Sequence, residues 1–172
     1  MLNREQIVKL IRGQQLISGC IDVDTQLTPN GFDLTVAQIH AFEGEGRLDF
    51  SNKERRLPET RQLIPEKHSE QDAFGWWTLS AGAYKIVTNE TVRLPKDLIA
   101  MAFPRSSLLR MGAFTQTGVW DAGFQGRSEF ILLVTNPRGM QLKQNARVVQ
   151  LLFVPITETV NGYNGIYQER GS

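Results

Sequence analysis

Cysteine is almost missing from this sequence: Cys20 is the only one. A lone thiol can build neither an intrachain disulfide framework nor a cysteine-based metal cluster, and it suits a reducing, cytoplasmic compartment. Histidine is nearly as scarce. His40 and His68 share no short ligand spacing, which excludes a zinc deaminase of the His/Cys/Cys type. Excess charge is also lacking, since nineteen Lys and Arg against eighteen Asp and Glu leave a net +1. That is too little to hold a nucleic-acid backbone by a general field, so any bound anion must be held locally. No apolar run approaches a membrane span. The opening stretch, MLNREQIVKLIRGQQL, mixes charges among its apolar residues where a signal peptide needs an unbroken apolar segment.

What is present is an ordinary globular composition, 41% apolar and 22% charged over 172 residues. That is enough for one core and short for two, so a single domain over 1–172 is expected. Asn3 before Arg4, Glu5 and Gln6 reads as a helix cap with an acidic first turn. Ile7, Leu10 and Ile11 share one face, and the helix is expected to stop at Gly13 within a helical region over 1–20. Beyond Gly19 short β-prone runs alternate with turn residues: Thr25 to Leu27, Phe32 to Ile39, then WWTL, AYKIVTN, TVRL, IAMAF, EFILLVTN and RVVQLLFVPI. This rhythm predicts an antiparallel sandwich or barrel. Several runs are apolar at consecutive positions, as in strands covered on both faces, one of them by another subunit. Residues 51–73 are polar, contain two prolines and read as an extended surface loop, with room for a lid or a subunit contact. Only one further helix is expected, over 106–111, capped by Ser106 and stopped at Gly112.

Four segments place polar turn residues at strand ends: ProAsnGlyPheAspLeu at 29–34, ProArgSerSerLeuLeuArgMetGly at 104–112, GlyValTrpAspAlaGlyPheGlnGly at 118–126, and ArgValValGlnLeuLeuPhe at 147–153. The second fits a phosphate cradle, with two serine hydroxyls and the first N–H groups of a short helix beside an arginine. It also fits a plain cap at Ser106 with Arg105 paired to a carboxylate. In the third, Asp121 is either a base in a tight hairpin close to a flat ligand or a turn aspartate bonding its own backbone. In the fourth, Arg147 and Gln150 are three positions apart and cannot share a strand face unless a bulge, an edge or a ligand intervenes.

The order and spacing of these four segments, with the N-terminal helix and LeuProLysAspLeu at 94–98, resemble the dUTPase/dCTP deaminase superfamily over nearly the whole chain. The resemblance implies a mainly β fold, a dUTPase-like distorted β-barrel or jelly-roll with an N-terminal helix and one short internal helix. It also implies a homotrimer whose sites lie between subunits. The ending TyrAsnGlyIleTyrGln at 163–168 is similar to the deaminase branch. That branch carries a glutamate five positions after the glycine closing the hairpin motif, and here that position is Ile131, which cannot move a proton. Glu129, two residues earlier, is displaced by roughly 7 Å along a strand and is expected to miss the base. The nine positions from Gly112 to Asp121 resemble the shorter dUTPase interval, and Gln116 and Thr117 stand where deaminases carry a histidine or an arginine.

The resemblance therefore implies hydrolysis of dUTP to dUMP and pyrophosphate, with Mg²⁺ on the phosphates and Asp33 holding the metal's water shell indirectly. Asp121 is the implied base, directing water at the α-phosphorus. Arg105, Ser106, Ser107 and Gln150 are expected on the phosphates, and Arg110 on the triphosphate or a neighbouring subunit. The main chain of Thr115, Gln116, Thr117, Gly118, Val119 and Trp120 is expected to read uracil, while Phe124 backs the deoxyribose. The tail over 160–172 is expected to be flexible and to fold over the nucleotide through Tyr163, Tyr167 and Gln168, with Arg170 at the γ-phosphate; a frayed polar tail is the alternative. A dCTP deaminase, alone or bifunctional, and a deoxynucleotide-binding protein without turnover are the rival expectations. Neither a nucleic acid nor a membrane is expected as a partner.

Overall fold

In the computed structural model, which describes residues 1–169, Asn3 stands extended and its side chain accepts a hydrogen bond from the Gln6 N–H. The Gln6 side chain accepts from the Asn3 N–H in return, and this reciprocal cap starts α1 (Arg4–Gln14). The helix runs past Gly13. It ends where Gln15 turns left-handed (φ 54°, ψ 40°) and its N–H bonds back to Ile11, because Leu16 and Ile17 must leave the helix to enter the core.

After β1 (Ile17–Ser18) comes a second helix, α2 (Val23–Gln26), started by the Asp22 side chain, which accepts from Thr25 N at 2.7 Å. The strand expected over Thr25 to Leu27 and the single internal helix are thereby corrected: four residues are too few for a helical period to register in the sequence. There follow β2 (Leu27–Thr28), β3 (Gly31–Glu43), β4 (Glu59–Leu63), β5 (Trp76–Leu79), β6 (Gly82–Arg93) and β7 (Leu98–Pro104). The chain continues through α3 (Ser106–Arg110), β8 (Ala113–Gln116), β9 (Gln125–Val134), β10 (Met140–Lys143) and β11 (Arg147–Pro155).

Nine strands form one antiparallel sheet in the order β7-β11-β3-β6-β9-β8, with β1 on β6 and both β2 and β4 on β3; β5 and β10 make a separate pair. Trp120, just past β8, bonds in both directions with Ala100 of β7, at 3.0 and 2.9 Å. That bridge brings the two edges of the sheet together and nearly closes a barrel. Its interior holds Phe32, Leu34, Ile39, Ile86, Leu132, Leu151 and Phe153, all without exposure, and truncating a phenylalanine there costs about 3–5 kcal/mol. The first six residues of β3 are buried in succession, as a strand covered on both faces requires.

Three further expectations change. The 51–73 segment is not all loop, since β4 pairs with β3 from Ile39–Leu63 to Glu43–Glu59; its mostly polar, exposed residues carry no apolar alternation to announce it. The runs at 83–89 and 91–94 are one strand, β6, joined through a bulge at Thr88–Glu90. Ser106 is the first residue of α3 rather than its cap; Arg105 holds the cap position without a side-chain bond. The clash between Arg147 and Gln150 is relieved by an irregularity between Arg147 and Val149 in the pairing with β3. Among the described residues no helix is long and apolar enough to cross a membrane.

Candidate functional site

A pocket of about 340 Å³ opens where the β8–β9 connection, the start of β9 and the C-terminal segment meet. Gly118, Val119, Trp120, Asp121 and Phe124 line it from the connection, and Tyr163 and Tyr167 from the tail. This volume suits a nucleoside-sized ring system. The connection is longer than a tight hairpin: β8 and β9 diverge after the Gln116–Ile131 pair, and the chain turns only at 121–124, where Phe124 N donates to Asp121 O. Trp120 is buried and its indole N–H donates to Ser128 Oγ at 2.8 Å. Phe124 meets Tyr163 edge to face, with centroids 5.6 Å apart.

Asp121 is exposed at this pocket, and among the described residues its carboxylate has no hydrogen bond or ion pair. An unengaged carboxylate over an aromatic cavity is available to a water or a ligand. Beyond it the described part of the tail, up to Glu169, is hydrogen-bonded to this connection. Tyr163 N donates to Ala122 O at 2.7 Å, Glu169 N to Gln125 O at 2.7 Å, and Gln168 Nε2 to Gly123 O at 3.0 Å. Gln168 thus fastens the tail and does not line the pocket. Arg170 lies outside the described residues.

Three pocket residues were not anticipated: Arg127, Ser128 and Glu129. Arg127 donates through Nε and Nη2 to Thr88 O, and Glu129 pairs with Lys85 at 3.3 Å. Glu129 thus stands at the pocket wall, held by Lys85. Ile131, by contrast, pairs with Lys85 and Gln116 on the neighbouring strands and is not among the lining residues. The signal available in the sequence was the polar triplet ArgSerGlu opening an otherwise apolar strand.

Of the expected base readers, one is engaged and three stand outside the pocket lining. Both main-chain groups of Trp120 are engaged by Ala100. Thr115 is buried outside the pocket, and its hydroxyl is without a partner among the described residues. Gln116 and Thr117 also stand outside the lining, the Gln116 side chain donating to Thr117 O at 3.3 Å. Gly118 and Val119 are exposed at the pocket, and they carry the main chain left available there.

The phosphate-type residues form a second cluster. Asp33 is 2% exposed, and its Oδ2 takes Arg105 Nε at 3.0 Å and Arg147 Nη1 at 3.3 Å. Burial pushes the Asp33 carboxyl up, against the pull of the two guanidiniums. Gln150 sits opposite Asp33 in the β11–β3 register and donates to Thr28 Oγ1 at 2.6 Å. Ser106, Ser107 and Arg110 are exposed on α3, which Leu108 anchors in the core. None of Arg105, Ser106, Ser107, Arg110 or Gln150 lines the aromatic pocket. Within one chain the two groups of residues therefore lie apart.

The nearly closed barrel thus carries a ring-sized pocket with an open carboxylate and, apart from it, two arginines on a buried aspartate beside exposed serines. The family is set by comparison: a model described as dCTP deaminase-like matches residues 1–156, and the chain belongs to that family. A Methanosarcina mazei protein named "Probable deoxyuridine 5'-triphosphate nucleotidohydrolase" is 44% identical over 100% of this chain and 98% of its own length. The Methanocaldococcus jannaschii deoxyuridine 5'-triphosphate nucleotidohydrolase is 37% identical over 86% of this chain and 90% of its own. Among solved structures, the 2'-deoxycytidine 5'-triphosphate deaminase of Agrobacterium tumefaciens superposes with a TM-score of 0.64 at 22% identity, over 91% of this chain. This chain spans about half of that one, 48%, and the likeness concerns the fold.

Proposed function

We propose that the protein hydrolyses dUTP to dUMP and pyrophosphate. The observation that carries this reading is Asp121: exposed at a nucleoside-sized pocket and unpaired among the described residues, in a chain matched end to end by relatives named for this reaction. Asp121 orients a water toward the α-phosphorus and accepts its proton. Positioning of that water and charge neutralisation supply most of the acceleration. Gly118 and Val119 present main-chain groups to the base, and Phe124 backs the sugar. Tyr163 and Tyr167 cover the pocket from the tail.

Magnesium enters this reading as part of the substrate, Mg²⁺–dUTP. Among the described residues no group of three or more His, Cys, Asp or Glu could cage a metal, and magnesium prefers phosphate oxygens and water to such cages. On the triphosphate it neutralises charge. Asp33 is buried with its Oδ2 between two guanidiniums, so we assign it to holding Arg105 and Arg147 in place of the water-mediated metal contact expected from the sequence. Arg105, Ser106, Ser107 and Gln150 then bind phosphates, with Arg110 at their margin.

A complete site requires more than one copy in this reading, because the phosphate residues and the Asp121 pocket do not share a cavity in one chain. A homotrimer brings them together across subunits. Met101, Phe103, Leu109 and Met111, exposed apolar residues on and beyond β7, suit that contact. A reducing, cytoplasmic setting belongs to the same proposal.

Glu129 favours a second reading, deamination of dCTP, since it places another carboxylate in the pocket. Its partner Lys85 is an argument for a held, structural acid. Pyrophosphate and ammonia release from dUTP, dCTP, dTTP and UTP with magnesium separate the two: pyrophosphate from dUTP alone is expected. Ammonia from dCTP, lost in Glu129→Gln, would establish deamination. Binding of a non-hydrolysable dUTP analogue with no turnover would leave a binding protein.

A further inference from the structure

In the pairing of β6 with β9, Val87 faces Glu129 and Thr91 faces Arg127, so Thr88, Asn89 and Glu90 together oppose Ser128 alone. This bulge carries Glu90 into the interior with no exposure. A carboxylate there must find donors, and Glu90 finds three. Oε1 accepts from Gln26 Nε2 at 2.7 Å and from the Thr35 hydroxyl at 2.5 Å, and Oε2 accepts from Thr35 N at 3.0 Å. Asn89 Nδ2 donates to the Thr35 hydroxyl at 2.8 Å, which leaves the hydroxyl proton for Glu90.

Two lines of contact leave this point. On one side Gln26 Nε2 also donates to the main-chain oxygen of Asp33 at 2.8 Å, so a single buried amide ties Glu90 to the residue that holds Arg105 and Arg147. On the other, the Thr88 hydroxyl donates to Glu90 O and accepts from Ser128 N, while Thr88 O takes the Arg127 guanidinium. Ser128 Oγ in turn accepts the Trp120 indole proton. We propose that Glu90 is a positioning residue that holds the Asp33–Arg105–Arg147 cluster and the Trp120–Arg127 side of the pocket in one fixed relation. The proposal deepens the dUTPase reading and rests on it wherever turnover is measured.

The test is Glu90→Gln in the full-length protein. The shape is kept, but the new amide turns a donor toward Thr35 or Gln26. A mismatched buried hydrogen bond of this kind is expected to lower kcat for dUTP about tenfold, with KM changed by less than about twofold. The Trp120 indole N–H resonance, assigned by Trp120→Phe, should shift in the folded variant. A folded Glu90→Gln protein with unchanged kcat and an unmoved indole resonance would overturn the proposal, as would a kcat loss equal to the unfolded fraction. Where Glu90→Gln does not fold, Thr35→Val removes one donor from the same carboxylate and is read by the same two measurements. If the unaltered protein releases no pyrophosphate from dUTP, the dUTPase reading falls, while the indole resonance still decides the role of Glu90.

Discussion

Gly123 and Gly162 lie main chain to main chain: a Cβ on Gly123 would stand 2.8 Å from the Cα of Gly162, and Gly123 has φ +82°. Any side chain at 123 must displace the tail that carries Tyr163 and Tyr167, and it strains the turn as well. Gly123→Ala should therefore raise KM for dUTP, cost about 1–3 kcal/mol of stability and open the tail to limited proteolysis. Gly13→Ala is the control, because a Cβ there meets nothing within 4 Å in a helix interior. It should stabilise the protein by about 0.5–1 kcal/mol. A Gly123→Ala protein as resistant to protease as the original would show that the close contact does not hold the tail.

Among the described residues Asp121 makes no side-chain bond that its loss could break, so Asp121→Asn should melt with the unaltered protein and keep its affinity for a non-hydrolysable dUTP analogue. Turnover should fall by about 10²–10⁴-fold. A near-normal rate would remove Asp121 from the chemistry.

Arg105→Ala leaves the buried Asp33 carboxylate with Arg147 alone. The expected loss is about 1–3 kcal/mol, less than for a carboxylate stripped of every partner. The contact exists only while Asp33 is ionised, and burial raises its pKa. The deficit should thus be full at neutral pH and shrink as pH falls through that raised value. Urea unfolding at pH 7 and at pH 4 measures it, and an equal deficit at both would contradict the ion pair.

Burial and the neighbouring Glu90 push the Cys20 thiol up to about 11. The unfolded chain releases this proton at about 8.5. Stability linked to Cys20 is accordingly complete below that value and declines as pH rises from there toward 11. Cys20→Ala should flatten this alkaline decline. Iodoacetamide at pH 8 should label the thiol slowly in the folded protein and rapidly in urea; equal rates would refute the burial argument.

Residues at strand ends were legible because turns have a local chemistry. ProAsnGly ahead of Asp33, ProArgSerSer and AspAlaGlyPhe all mark places where the chain must leave a sheet, and Trp120, Asp121 and Phe124 do meet in one pocket. That Glu129 lines the pocket was not legible in the sequence, for a physical reason. Spacing along β9 gives its face and distance from Gly126, but its entry into the pocket depends on how the tail and the β8–β9 connection fold around the strand. Those are contacts between distant segments. The short helix α2 and the polar strand β4 escaped for lack of periodicity, and the stop at Gln15 depended on core positions that lie after it. Glu90 fell between the runs AYKIVTN and TVRL, among polar neighbours, and had no meaning until Gln26 and Thr35 were placed beside it.

The separation of the Asp33–Arg105 cluster from the Asp121 pocket has a genetic consequence. In the trimer proposed above, a chain disabled at Arg105 and a chain disabled at Asp121 should each be inactive alone, yet when co-assembled should build some sites from two undamaged halves. Activity recovered by mixing two dead proteins would report directly that the halves come from different subunits.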